Sequence, residues 1–216
     1  MIVIPRIDRG IQFYKRNWFP TFVGMTKKEE DLMGFKIQHS DIELLRKTGV
    51  SEDDINHSIK VAEKALEIAG RTQAELDMEL VGRGALFHDL GKSETHEIEH
   101  GKIGAELGRK LGLPEKITAV MEKHIRGGLT KEEAVELGLP VKDYTLRLLE
   151  ERIVIYADRL VDIITDGIVD IHGDEHEAET RFEEILSGYP KYGKNEITLN
   201  RYLGYHGEIQ GLMKKL

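Results

Sequence analysis

From Ser40 onward, apolar positions recur every three or four residues, in runs separated by Gly, Pro, Ser and Thr. That period describes successive amphipathic helices. After "SEDD", Ile55, Ile59, Ala62, Leu66 and Ala69 make one stripe, while Lys60, Glu63, Lys64, Glu67 and Arg71 make the opposite face. Ser51 suits the N-cap of this helix, with acids in its first turn and Gly70 near its far end. A second helix is expected from about Ala74 to Gly91, with Leu76, Leu80, Val81, Ala85 and His88 inward. A third covers roughly Glu97 to Leu111, closed by Gly112, and Pro114 opens a fourth that ends before "RGG". "TKEEAVELG" carries a capping box, Thr130 to Glu133, and a stop at Gly138 and Pro140. The helix from about Thr145 to Thr165 is apolar nearly all round in its second half, which places it in the core. Another starts within Asp170 to Glu184, anchored by Phe182, Ile185 and Leu186. "SGYPKYGKN" reads as a loop, and a last amphipathic helix runs from about Thr198 to the end. No stretch alternates with strand period, so the predicted fold is all-α.

The first 32 residues, which hold the only Trp, show neither period and lack the apolar core of a signal peptide. Residues 1–35 are either an arm that docks on the body or a partner, or a start placed too early, with Met33 the true beginning. Residues 36–216 read as one domain, with a core over about 51–165 and C-terminal helices over about 174–216; a length of 216 suits one sizeable core.

Composition narrows the chemistry. Without cysteine, disulfides, thiolate metal sites and cysteine nucleophiles are excluded, and any metal must sit on nitrogen and oxygen. A formal net charge of -8 argues against stable nucleic-acid binding but leaves a small anionic ligand open. The longest apolar run, "RIVIYADRLVDII", is interrupted by Asp158, Arg159 and Asp162, so no membrane span is expected and a cytoplasmic location is.

Helical phase then singles out a set of polar residues. His57 shares a face with Val61, Ala65 and Ile68; His100 with Ile103, Leu107 and Leu111; His124 with Ile117 and Val120; Asp158 with Val154 and Val161. For one histidine, a satisfied core residue is the simpler account. Four histidines in inward phase (His57, His88, His100 and His124), with Asp89 and Asp158, point instead to a shared cation, because buried charges and imidazoles need partners. Nitrogen and carboxylate donors suit one or two divalent ions of manganese, iron, cobalt, nickel or zinc, with magnesium also compatible. His39, His172, His176 and His206 read as surface residues.

The ordered set His57, His88 and Asp89 in "HDLGK", His124 in "KHIRGGLT" and Asp158 in "YADRL" resembles the HD-domain superfamily of metal-dependent phosphohydrolases, over about Ser51 to Thr165. The resemblance implies an HD helical bundle whose shared metal site is His57, His88, Asp89 and Asp158. Members with two metals add intervening histidines, here His100 and His124, with the doublet aspartate bridging; His96 can replace His100 if its helix starts early. It also implies hydrolysis of a phosphate mono- or diester of a nucleotide or related small molecule by a metal-activated water. Asp89 and Lys92 are then the candidate catalytic residues, and Lys92 and Arg126 the candidate phosphate contacts. Asp162 is either an outer acceptor or a capping residue, and Arg159 is expected to pair with an acid on a neighbouring helix. The alternative is a regulatory module that binds a nucleotide on the same scaffold without turnover; a structural metal site is weaker, since six candidate ligands exceed its need. "GYP" at Gly188 lies too far past Asp158 to mark the cyclic-di-guanylate branch. Oligomerisation stays open.

Overall fold

The computed structural model describes residues 35–169 and 176–213, and every regular element among them is helical. The N-terminal segment, His172 and the start of the helix expected from Asp170 lie outside the described residues. The helices are α1 (His39–Lys47), α2 (Glu52–Arg71), α3 (Met78–Phe87), α4 (His100–Lys110), α5 (Glu115–Lys123), α6 (Lys131–Glu136), α7 (Leu149–Thr165), α8 (Glu177–Thr180), α9 (Phe182–Gly188), α10 (Pro190–Gly193) and α11 (Glu196–Leu212). Two 3₁₀ turns, Leu90–Ser93 and Ile125–Gly127, follow α3 and α5. Residues Met33–Leu216 cluster as one compact unit. No described helix is long and apolar enough to cross a membrane.

Caps set the boundaries, and several differ from the sequence expectation. Ser51 accepts from the Asp54 N–H at 3.1 Å, and the Thr130 capping box forms as expected. The second helix starts at Met78, not Ala74, because the Asp77 carboxylate accepts from the Leu80 N–H at 3.0 Å. It ends at Phe87, and the chain tightens into the 3₁₀ turn that carries Lys92. α4 starts at His100 rather than Glu97, and α7 at Leu149 rather than Thr145. The segment after 176 splits into α8 and α9. The expected loop holds α10, opened by Pro190, and α11 starts at Glu196, two residues before Thr198, because the Asn195 side chain caps it by accepting from the Thr198 N–H at 2.8 Å.

α2 lies against α3 and α7, α3 against α5 and α7, and α11 against α7. Ile55, Val61, Ile68, Phe87, Ile153 and Leu160 are fully buried in the shared core. The polar face of α2 is not solvated as its sequence suggests. Glu179 from α8 covers it, 2.9 Å from Lys64 Nζ and 2.9 Å from Arg71 Nη1. His176 joins this cluster at 3.4 Å from Glu179, and His206 accepts or donates at 2.8 Å with the Tyr156 hydroxyl while its ring stacks on Phe182. Both were expected at the surface; the folding back of the C-terminal helices half-buries them. His39 is exposed as expected.

One backbone contact sets the site. A Cβ on Gly91 would lie 1.9 Å from the His100 carbonyl oxygen, and one on Gly104 would lie 2.9 Å from the Gly91 nitrogen. Only hydrogen at both positions lets the 3₁₀ turn after Asp89 touch α4 backbone to backbone.

Candidate metal centre

Five segments deliver side chains to one cavity of about 510 Å³. α2 supplies His57, the end of α3 supplies His88 and Asp89, the first residue of α4 is His100, the C-cap of α5 is His124, and α7 supplies Asp158. Five of the six expected residues line the cavity, and the sixth, His88, joins them through Asp89, 3.2 Å from its Nε2. His88 and Asp89 are 1% and 3% exposed.

Asp89 stands at the centre, and its two oxygens face different groups. Oδ2 lies 3.2 Å from His88 Nε2 and 4.0 Å from His57 Nε2. Oδ1 lies 3.3 Å from His100 Nε2 and 3.4 Å from His124 Nε2. Asp158 Oδ1 completes the first group, 3.0 Å from His57 Nε2 and 3.5 Å from His88 Nε2. The cluster thus has two lobes that share one carboxylate.

The backbone fixes the orientation of three of the imidazoles. Nδ1 of His88, His100 and His124 lies 2.6, 2.6 and 2.7 Å from the carbonyl oxygens of Ala85, Glu97 and Met121. An N–H at each Nδ1 donates to that carbonyl, which fixes the tautomer and turns the Nε2 lone pair inward. His88 Nε2 is buried with no hydrogen-bond partner, and His100 and His124 bring Nε2 atoms within 2.9 Å of each other. Converging lone pairs repel unless something positive lies among them. A divalent cation meets that need, and the donor set of imidazole nitrogen and carboxylate oxygen suits it.

Electrostatics keep the carboxylates ionised. Burial would raise the pKa of Asp89, but His88, His100 and His124 override it and hold the group well below the usual carboxylate range. Asp158 is likewise held down, against burial, by His57 and His88. The counterpart His88 is raised despite burial, chiefly by Asp89, so a proton and a cation compete for the same Nε2 lone pair, whereas burial dominates at His124 and lowers it. Lys92 Nζ sits 2.6 Å from Asp89 Oδ2 and 3.7 Å from Asp54 Oδ1, and these acids with Asp158 raise it against burial.

Other expectations fare differently. His96 is exposed, 3.4 Å from Asp54, and does not replace His100, whose helix starts too late for that. Arg126 stands beside the cavity rather than in its lining, with φ 50° and ψ 28°. This left-handed conformation costs a non-glycine residue roughly 1 kcal/mol. It is held from α11, where Arg201 donates to the Arg126 carbonyl at 3.1 Å and the Tyr205 hydroxyl to that of Gly127 at 2.9 Å. Arg159 pairs with Asp162 on its own helix at 3.1 Å, not with an acid on a neighbour, and donates to the Tyr202 hydroxyl at 3.1 Å. Asp162 lines the cavity, and burial and Asp158 push its pKa up to about 6. Asp53, Asp54 and Lys194 also line it and were not anticipated. Asp54, one turn before His57, was within reach of helical phase; Lys194, in an aperiodic stretch, was not.

The family model for the HD domain matches residues 54–161. The chain is 41% identical over 168 residues to an uncharacterized protein of Methanocaldococcus jannaschii, covering 76% of this chain and 92% of the relative. It is 37% identical over 192 residues to a tRNA (cytidine(56)-2'-O)-methyltransferase of Thermoplasma volcanium, covering 87% of this chain but only 52% of that protein, about half its length. A ribonuclease Y of Acidothermus cellulolyticus shares 40% identity over 82 residues, 36% of this chain and 16% of that one.

Proposed function

This chain belongs to the HD-domain family, and from that premise we propose that it is a metal-dependent phosphohydrolase acting on a phosphate mono- or diester of a nucleotide or related small molecule. The observation that carries this reading is Asp89, whose two oxygens each face a separate group of imidazole nitrogens. Such a shared carboxylate suits two neighbouring divalent ions, with His57, His88 and Asp158 on one side and His100 and His124 on the other. One or two ions held there would acidify a water and withdraw charge from phosphoryl oxygens.

The chain's own residues would do the rest. Asp89, at the centre of the cluster, is the acceptor we assign to the proton of the attacking water. Lys92, anchored 2.6 Å from Asp89, places an ammonium where charge grows on a phosphoryl oxygen. Arg126 offers a guanidinium fork from beside the cavity. Ile125, buried in the turn after α5, adds an apolar residue to the cavity lining. The name of the ribonuclease Y relative implies an RNA phosphodiester as its substrate, which supports testing diesters alongside monoesters.

The test is hydrolysis of a nitrophenyl phosphate monoester and its diester counterpart by chelated protein reloaded with manganese, nickel, cobalt, magnesium or zinc. Metal-dependent turnover that Asp89→Ala abolishes is expected, and the preferred ester separates phosphatase from phosphodiesterase. Tight metal uptake with no turnover of any ester would overturn the proposal in favour of nucleotide binding without catalysis.

A further inference from the structure

The cavity lining holds two groups of charges, each forming a stretch of its rim. Asp53 and Asp54 belong to the first, with Lys92 3.7 Å from Asp54 and 2.6 Å from Asp89. Arg159, Asp162 and Lys194 belong to the second, where Arg159 and Asp162 both act on the Lys194 charge. A second phosphate on a bound substrate is repelled by the acids of the first group and drawn to the two cations of the second.

Arg159 is built to receive an anion. It is 8% exposed, its guanidinium lies 4.8 Å over the Tyr202 ring, and Nη1 and Nη2 are fixed by Asp162 and Tyr202. Its Nε is buried with no hydrogen-bond partner, which leaves a desolvated donor that an incoming oxyanion would satisfy. Lys194 brings a second cation to the same rim, and none of the ion pairs among the described residues involves it. Its backbone is set rather than loose: φ is 61°, the N–H donates to the Pro190 carbonyl at 2.9 Å, and a Cβ on the preceding Gly193 would lie 2.6 Å from the Leu186 carbonyl oxygen. Burial, then the charges of Arg159 and Arg126, lower the pKa of its ammonium, as expected for cations gathered without enough counter-charge. Lys194 also lies beyond residues 54–161, so the C-terminal segment adds this cation to a rim whose Arg159 belongs to the matched HD region.

We propose that Arg159 and Lys194 form a second anion subsite that binds a non-scissile phosphate, so that the substrate is a nucleotide carrying another phosphate besides the one held at Asp89. The role of the first phosphate rests on the phosphohydrolase reading; the subsite itself does not. The unpartnered Nε–H of a guanidinium beside an ammonium offers donors to more than one oxygen of a phosphate. The cavity, about 510 Å³, is large enough for more than an isolated phosphate.

Equilibrium binding decides the matter, measured by calorimetry on metal-stripped protein so that nothing is cleaved. The probes are ApA, with one internucleotide phosphate; pApA, which adds a terminal phosphate; and ApApA, which adds an internucleotide one. Tighter binding than ApA, by about tenfold, is expected for pApA, ApApA or both, and the pattern tells which kind of phosphate the subsite takes. Lys194→Ala should erase that gain, Lys194→Arg should keep it, and Lys131→Ala, an exposed lysine outside this cavity, should leave it intact. Equal affinity for all three probes in the wild-type protein overturns the proposal. So does a Lys194→Ala loss of the same size for each probe. A protein that hydrolyses no ester with any metal would remove the phosphohydrolase reading while these affinities still ruled on the subsite.

Discussion

Glu179 shows how one carboxylate can tie distant parts of a chain together. It is buried between Lys64 and Arg71 of α2, and Gln210 of α11 donates to it at 3.2 Å. Burial would raise its pKa, but Lys64 and Arg71 hold it at about 2, below the ordinary 4.5. A depressed folded-state value means that its contribution is complete above pH 4.5 and is lost as pH falls towards 2. Chemical denaturation at stepped pH should therefore show stability falling across that window, and Glu179→Gln should flatten the fall. At neutral pH the same variant should lose about 3 kcal/mol, since two cations remain with less counter-charge. At the metal centre, Asp89→Asn should bind fewer ions by elemental analysis and lose more activity than the roughly 10–100-fold typical of an outer partner, because both lobes use that side chain. Helical phase exposed His57, His88, His124 and Asp158 in the sequence because each shares its face with core residues of the same helix. It could not expose Lys194, which no periodic stripe points anywhere, nor the acid that covers Lys64, which lies 115 positions away.

Elements were legible where a cap and a stripe coincide. Ser51 with α2 and Thr130 with α6 combine both signals. Where an apolar stripe ran past its cap, as before Met78, the boundary shifted to the residue whose side chain satisfies the exposed N–H groups. Close approach between elements is the less visible part, because it depends on what a residue lacks. Gly91→Ala would drive a methyl group into the His100 carbonyl and should destabilise by roughly 1–3 kcal/mol or more as α4 is pushed off. Thermal denaturation measures that loss. A metal titration should show His100 and His124 sites weakened more than the lobe built on His57 and Asp158, which the contact does not touch.

At the scale of the molecule, one large core joins most of the helices, a smaller cluster of Ile125, Leu129, Ala134, Leu139 and Tyr144 holds α6, and the polar centre opens to a cavity. If metal binds only the folded state, stripping it with a chelator should lower stability by about 2.7 kcal/mol relative to a concentration 100-fold above its dissociation constant. For a chain of this size that is a fall of roughly 5–10 °C in Tm, read by scanning calorimetry before and after metal is restored. His57 and Asp158 meet at 3.0 Å although 101 positions separate them, and His100 and His124 arrive from two further helices. No single helix of the chain supplies more than two of the six donors. Metal content per protein molecule is therefore an assay of assembly: it counts the chains in which every contributing helix has found its place, and a misassembled fraction declares itself as missing metal before any activity is measured.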